Sequence, residues 1–275
     1  MKIKIKILLL SFFSLIILSH PLLAIQIISS TAATNDRFSN DPTFIANNMN
    51  LSGVGIDNTG KWATLVSENV FLSANHFKPS NGSVITFYAT NDPTGSSITR
   101  TVASGQRIGD TDIWVGVLSS SVDSNYAFYD IGLTPSLVQN SYMVGRSVNS
   151  YTTTQNIAVG RNVLDSTATF TVAGATGTAI LATYNETGGV AYESLVQSGD
   201  SGAPMFTTDL SNELTIVGTN WFVGTVGTVD TSGFTDLSSD RGAIQTIIAA
   251  NAVPETTSIA MLSLASLMLI TYRKR

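Results

Sequence analysis

The chain has 275 residues, no cysteine, and 14 Lys and Arg against 19 Asp and Glu, a formal net charge of −5. Lys2, Lys4, Lys6, Arg273, Lys274 and Arg275 lie in the terminal segments, as does Glu255, which leaves 8 basic and 18 acidic side chains on residues 25–253. That balance excludes a body built to bind nucleic acid or an anionic membrane, and the lack of cysteine excludes disulfides, so stability must come from core burial.

The chain opens on a basic stretch, Lys2 to Lys6, and an apolar run, Ile7 to Leu18, before Pro21-Leu22-Leu23-Ala24. This is the pattern of a cleaved export signal over residues 1–24, the run being short for a spanning helix. Residues 25–50 are polar and Asn-rich and read as an extended arm. From Leu51 short apolar segments follow one another: Leu51 to Ile56, Lys61 to Val66, Val70 to Ala74, Val84 to Tyr88, Ser97 to Val102 and Ile113 to Leu118. Turn signals such as Asp57-Asn58-Thr59-Gly60 and Asn91-Asp92-Pro93-Thr94-Gly95 separate them, the spacing of a barrel or sandwich.

A polar stretch from Ser119 to Asn125 begins a link, with the division between halves near 120–140. The second half reads as strands at Ser141 to Val148, Gln155 to Leu164, Ala168 to Ala173, Thr178 to Tyr184, Ala203 to Thr207 and Leu214 to Trp221. Ser238-Ser239-Asp240 can cap a helix through Ala250, with Ile244, Ile247 and Ile248 on one face. Residues 51–252 thus form the folded body. Beyond it, Val253-Pro254-Glu255-Thr256 precedes an apolar run, Ile259 to Tyr272, and a basic end. No metal cluster and no phosphate-cradling glycine loop stands in the sequence, so no cofactor is expected.

Two segments carry chemistry. Gly199-Asp200-Ser201-Gly202-Ala203-Pro204 sets a serine in a glycine-rich turn. With His20 in the export signal, His76 is the one imidazole left, at the end of the strand-like Phe71-Leu72-Ser73-Ala74-Asn75-His76-Phe77. A hydroxyl nucleophile needs a base that takes its proton near neutral pH, and imidazole is that base.

These segments resemble the motifs of a trypsin-like serine protease of the chymotrypsin superfamily. Phe71 to Phe77 resembles its histidine motif, Thr111-Asp112-Ile113-Trp114-Val115-Gly116-Val117-Leu118 its aspartate motif, and Gly199 to Pro204 its serine motif. The order His76, Asp112, Ser201 is that of the superfamily. The likeness extends over about residues 35–251 and includes Lys61 to Ser67 before the histidine motif and Arg241 to Asn251 as the closing helix. Phe77 stands where the family usually has cysteine.

The resemblance implies an all-β fold of two six-stranded antiparallel β-barrels, chymotrypsin-like, with a C-terminal helix. It implies a hydrolase: Ser201 as nucleophile, His76 as base and then acid, Asp112 as orienter in preference to Asp110, and the N–H groups of Gly199 and Ser201 as oxyanion hole. Asp200 would pair with a new N-terminal amine, but no clear activation sequence precedes His76 at a suitable distance. Leu195 would form the base of the primary substrate pocket and Asn220 and Trp221 its wall, with Phe222 in place of a glycine. That favours small or apolar residues before the scissile bond.

The C-terminal segment, 253–275, resembles a PEP-CTERM sorting tail, with Thr256 replacing the usual second proline. The expectation is an exported serine endopeptidase of the cell envelope or exterior. Its partners would be a peptide or protein substrate, signal peptidase and an exosortase, with no nucleic acid. The alternative is an inactive protease-like surface or matrix binding module, suggested by Asn75 beside His76 and by the crowded pocket.

Overall fold

The computed structural model describes residues 24–133, 135–137, 139–148, 156–185, 189–208 and 213–252. The expected export signal, but for Ala24, and the whole sorting tail therefore lie outside the described residues. Among those described, no helix is long and apolar enough to cross a membrane.

In chain order the strands are β1 (Gln26–Ile27), β2 (Val54–Asp57), β3 (Trp62–Leu65), β4 (Val70–Ala74), β5 (Val84–Tyr88), β6 (Ser97–Arg107), β7 (Ile113–Leu118), β8 (Asp130–Ile131) and β9 (Asn140–Arg146). They continue with β10 (Ile157–Val163), β11 (Ser166–Val172), β12 (Ala175–Thr183), β13 (Ser194–Leu195), β14 (Pro204–Thr208), β15 (Leu214–Val226) and β16 (Val229–Asp236). The helices are α1 (Ala32–Asn35) and α2 (Arg241–Ala250).

β2 to β7 close into a six-stranded barrel in the order β2-β3-β4-β7-β6-β5. The second unit is a curled sheet in the order β10-β9-β14-β15-β16-β12-β11, with β8 joining β15 in parallel. The fold is thus mostly β and consistent with the two-barrel chymotrypsin-like arrangement. The second unit departs from six closed strands: its described ladder has eight and stays open. The Asn162 amide donates to Thr183 O at 2.9 Å and to Ser194 O at 3.1 Å, so one side chain links β10 to β12 and β13.

The core explains the apolar runs of the first barrel. Trp62, Val70 and Leu72 belong to the cluster shared with Val144, Phe206 and Ile216 of the second sheet, while Ala63, Leu65 and Phe71 fill the first barrel. Strands buried on both faces lose the alternation that a half-solvated strand shows. β6 faces water and alternates visibly along its 11 residues. The same shared cluster takes Ile244 of α2, with Ile247 and Ile248 packed against it. Asp240 stands at the helix N-cap, but its side chain does not cap; it accepts from Ser239 Oγ at 3.1 Å instead.

Residues 25–50 are folded, not extended. β1 pairs with β13, α1 and a 3-10 turn at Arg37–Ser39 follow, and Phe38, Phe44, Ala46 and Met49 are buried. The segment straps the two units together. Asn35 Nδ2 donates to Val159 O of β10 at 2.9 Å, and two residues on Arg37 Nη2 donates to Tyr88 O of β5 at 2.8 Å. Arg37 is 1 % exposed, and burial pushes its guanidinium down to about 10. It also donates to Thr90 O and the Asn91 side chain. The polar residues read as an extended arm include two buried ones, Asn35 and Arg37, whose side chains reach acceptors on both units. Replacing Arg37 by Ala strands those acceptors. It should cost about 3 kcal/mol of unfolding free energy, read as a lower denaturant midpoint, and a change within about 0.5 kcal/mol would contradict this role.

Candidate active site

The site lies where the Gly199–Ser201 loop of the second sheet meets the strand ends of the first barrel. β4 and β7 pair in register, Ala74 opposite Ile113, so the residues leaving one and entering the other lie side by side. Asn75 N donates to Asp112 O at 2.7 Å and His76 N to Asp112 Oδ1 at 2.9 Å. The second carboxylate oxygen, Asp112 Oδ2, lies 2.7 Å from His76 Nδ1. Asp112 is fully buried, whereas the His76 side chain is 25 % exposed. A carboxylate on Nδ1 fixes the proton there and leaves Nε2 as an acceptor. His76 Nε2 faces Ser201 Oγ at 2.9 Å, within reach for proton transfer. Asp110 is not at the imidazole. Its carbonyl accepts from Thr176 N on the far side of the β6–β7 turn.

The nucleophile loop has the shape an oxyanion site needs. Asp200 N donates to Gln197 O at 3.0 Å and Gly199 has φ +101°, the left-handed position that a type II turn requires of its third residue. Among the described residues no acceptor takes the N–H of Gly199 or of Ser201. Gly202, at φ +88°, allows a close approach. A Cβ there would stand 2.7 Å from Ser73 Oγ and 2.9 Å from Ala74 N, so the loop seats directly on β4.

Asp200 is wholly buried and points away from the triad. Its Oδ1 accepts from Arg146 N and its Oδ2 from Gln197 N, both at 2.8 Å. Burial pushes its carboxyl up to about 7, against the pull of those two N–H groups and of the Arg146 charge. A missed neighbour is Ile25. It is 5 % exposed and its N–H donates to Arg146 O at 3.1 Å. It lies with Asp200 against Gly145, where a Cβ would stand 2.6 Å from Ile25 Cβ and 2.8 Å from Asp200 Cγ. The available signal was the expected cleavage boundary after Ala24.

The residues expected to shape a substrate pocket are in the vicinity but largely packed. Leu195 is 3 % exposed on β13 opposite Gln26. Asn220 holds the loop: its Nδ2 donates to Val144 O at 2.9 Å and Asp200 O at 3.1 Å, and its main chain exchanges bonds with Gly202 and Ala203. Trp221 is buried edge-on to Phe222, whose ring lies across Gly233, 2.3 Å from where a Cβ would be. No group of three or more His, Cys, Asp and Glu that could hold a metal occurs among the described residues.

The Asp200 carboxyl gives a pH signature. The folded protein keeps this proton up to about 7, while an unfolded chain releases it near 3.8. Folding then binds more protons in that window, so the contribution is present in acid and is lost as pH rises from about 4 to 7. In the full-length chain, Asp200→Asn should flatten that part of the stability profile. Denaturant midpoints taken between pH 4 and 7 check it, and a slope unchanged by the substitution would be the contrary result.

No protein-family model and no curated protein matches this chain.

Proposed function

We propose that the protein is an exported serine endopeptidase that cleaves peptide bonds through Ser201, His76 and Asp112. The observation that carries this reading is the unbroken hydrogen-bond line from Asp112 Oδ2 to His76 Nδ1 and from His76 Nε2 to Ser201 Oγ, at 2.7 and 2.9 Å. It is supported by a loop whose Gly199 and Ser201 N–H groups can receive an oxyanion.

In the reaction the bond from Ser201 Oγ to the substrate carbonyl carbon forms while the Oγ proton passes to His76 Nε2. Asp112 stabilises the imidazolium and holds its tautomer. The carbonyl oxygen becomes negative and is taken by the N–H groups of Gly199 and Ser201. Collapse breaks the carbon–nitrogen bond, and His76 returns the proton to the leaving amine. Water, activated in turn by His76, hydrolyses the acyl-enzyme and restores Ser201. Phe222 across Gly233 and the aliphatic Leu195 favour a small or apolar residue before the scissile bond.

Maturation fits the same reading. Cleavage of an export signal after Ala24 makes Ile25 the first residue and puts an ammonium beside the one buried carboxylate of the loop. The pair would hold the Gly199–Ser201 turn, so removal of the signal doubles as activation. The segment 253–275 serves as the sorting tail that retains or releases the enzyme at the envelope, with signal peptidase and an exosortase as its processing partners.

Hydrolysis of a peptide library tests the activity. Ser201→Ala and His76→Ala should lower turnover by about 10⁴-fold or more, and Asp112→Asn by a comparable factor. Folded protein that cleaves neither peptides nor esters would favour the binding-module reading. Adding one residue before Ile25 should slow turnover at least about 10-fold, and equal activity in the extended form would reject the maturation step. Intact mass of native protein decides the tail: a dominant species still ending at Arg275 would reject processing.

A further inference from the structure

Trp62 is fully buried on β3, yet its indole N–H finds its acceptor outside its own barrel, on Gly199 O of the nucleophile loop at 3.0 Å. The bond crosses the junction between the two units. Its acceptor is the carbonyl of the Gly199–Asp200 peptide, the plane that lies between the two N–H groups of the oxyanion site, those of Gly199 and Ser201. Whatever fixes that plane fixes how the two donors aim relative to each other. The second ligand of the same oxygen is weak: Arg146 Nε stands 3.4 Å away. The same plane is held at its other side by Asp200 N, which donates to Gln197 O at 3.0 Å, and the remaining restraints act further along, through the Asp200 carboxylate and the Asp200 carbonyl, which accepts from Ala203 N and Asn220 Nδ2.

Trp62 also reports to the triad. Through β3 it belongs to the ladder that carries β4, with Thr64 opposite Leu72 and Leu65 opposite Phe71, and β4 runs directly into His76. One indole thus connects the sheet that bears the base to the peptide that orients the oxyanion donors. A phenyl side chain would fill part of the same core space and lack the donor.

We propose that Trp62 is a positioning residue of the catalytic apparatus: its indole N–H clamps the Gly199 carbonyl and so aligns the oxyanion donors with Ser201 and His76. This rests on the hydrolase reading above. Trp62 touches neither substrate nor reacting atoms, so its effect belongs in the transition state and not in substrate binding.

The test compares wild type with Trp62→Phe and with a chain carrying 3-benzothienylalanine at position 62, which keeps the two-ring shape and lacks only the N–H. Both are assayed well below their melting temperatures. The clamp predicts a fall in kcat of about 10-fold with KM unchanged, short of the 10²–10³-fold that follows loss of an oxyanion donor itself. It predicts a parallel weakening of a peptide boronate, which mimics the tetrahedral state. If Trp62→Phe does not fold, the benzothienyl chain carries the test alone. Wild-type kcat and boronate affinity in a folded variant would overturn the clamp and leave the hydrolase reading intact. A rise in KM at constant kcat would overturn it as well. An inert wild type would remove both.

Discussion

Everything at the candidate site depends on a junction between a closed barrel and an open, curled sheet. His76 and Asp112 are fixed by the first barrel and Ser201 by the second unit, so the 2.9 Å separation of Nε2 and Oγ measures how well the two are docked. The docking is tight because Gly202 lets the loop backbone sit on Ser73 and Ala74. It is kept tight by a core that both units share, in which Trp62, Leu72 and Ile113 meet Val144, Phe206 and Ile216. The hydrophobic effect supplies the adhesion but no direction. Direction comes from a few polar bonds that cross the junction, among them Thr176 N to Asp110 O and, on the loop next to Ser201, Trp62 Nε1 to Gly199 O.

The loop concentrates charge where water is absent. Asp200 and Arg146 sit side by side, with Arg146 pushed down by burial and held up in part by Asp200 and Asp57. Their link runs through the Arg146 main chain to Asp200 Oδ1, and the guanidinium turns instead toward Gly199 O. A buried carboxylate with no direct cation on it is costly, which is why its proton is retained to about 7. An ammonium delivered at Ile25 would reverse that balance and turn a liability into a latch.

Much of this was legible in the sequence, and the exceptions share a cause. The strands around His76, Asp112 and Ser201 were readable because they are short apolar runs ending in small or polar residues. The grouping of Asp112, His76 and Ser201 was readable because the three segments that carry them are local and ordered. The hairpin of β15 and β16 was missed beyond Trp221, since Thr225 to Asp230 and Thr231 to Asp236 mix glycine and hydroxyl residues as a turn would. The strap at 25–50 was misjudged because Asn35 and Arg37 are polar for the sake of distant carbonyls, of β10 and β5, that no local window contains. Ile25, Trp62 and Arg146 escaped for the same reason. Each acts on the nucleophile loop from more than 50 positions away, and long-range pairing leaves no periodic trace.

The central claim is that Ser201 is a nucleophile because His76, across the junction, removes its proton. The most direct measurement is the second-order rate of covalent labelling by a fluorophosphonate, with the modified residue mapped by mass spectrometry. The account predicts a single adduct on Ser201 in the mature chain, formed orders of magnitude more slowly in His76→Ala, whose fold is unchanged. Labelling at another residue, or at Ser201 with a rate indifferent to His76, would contradict it.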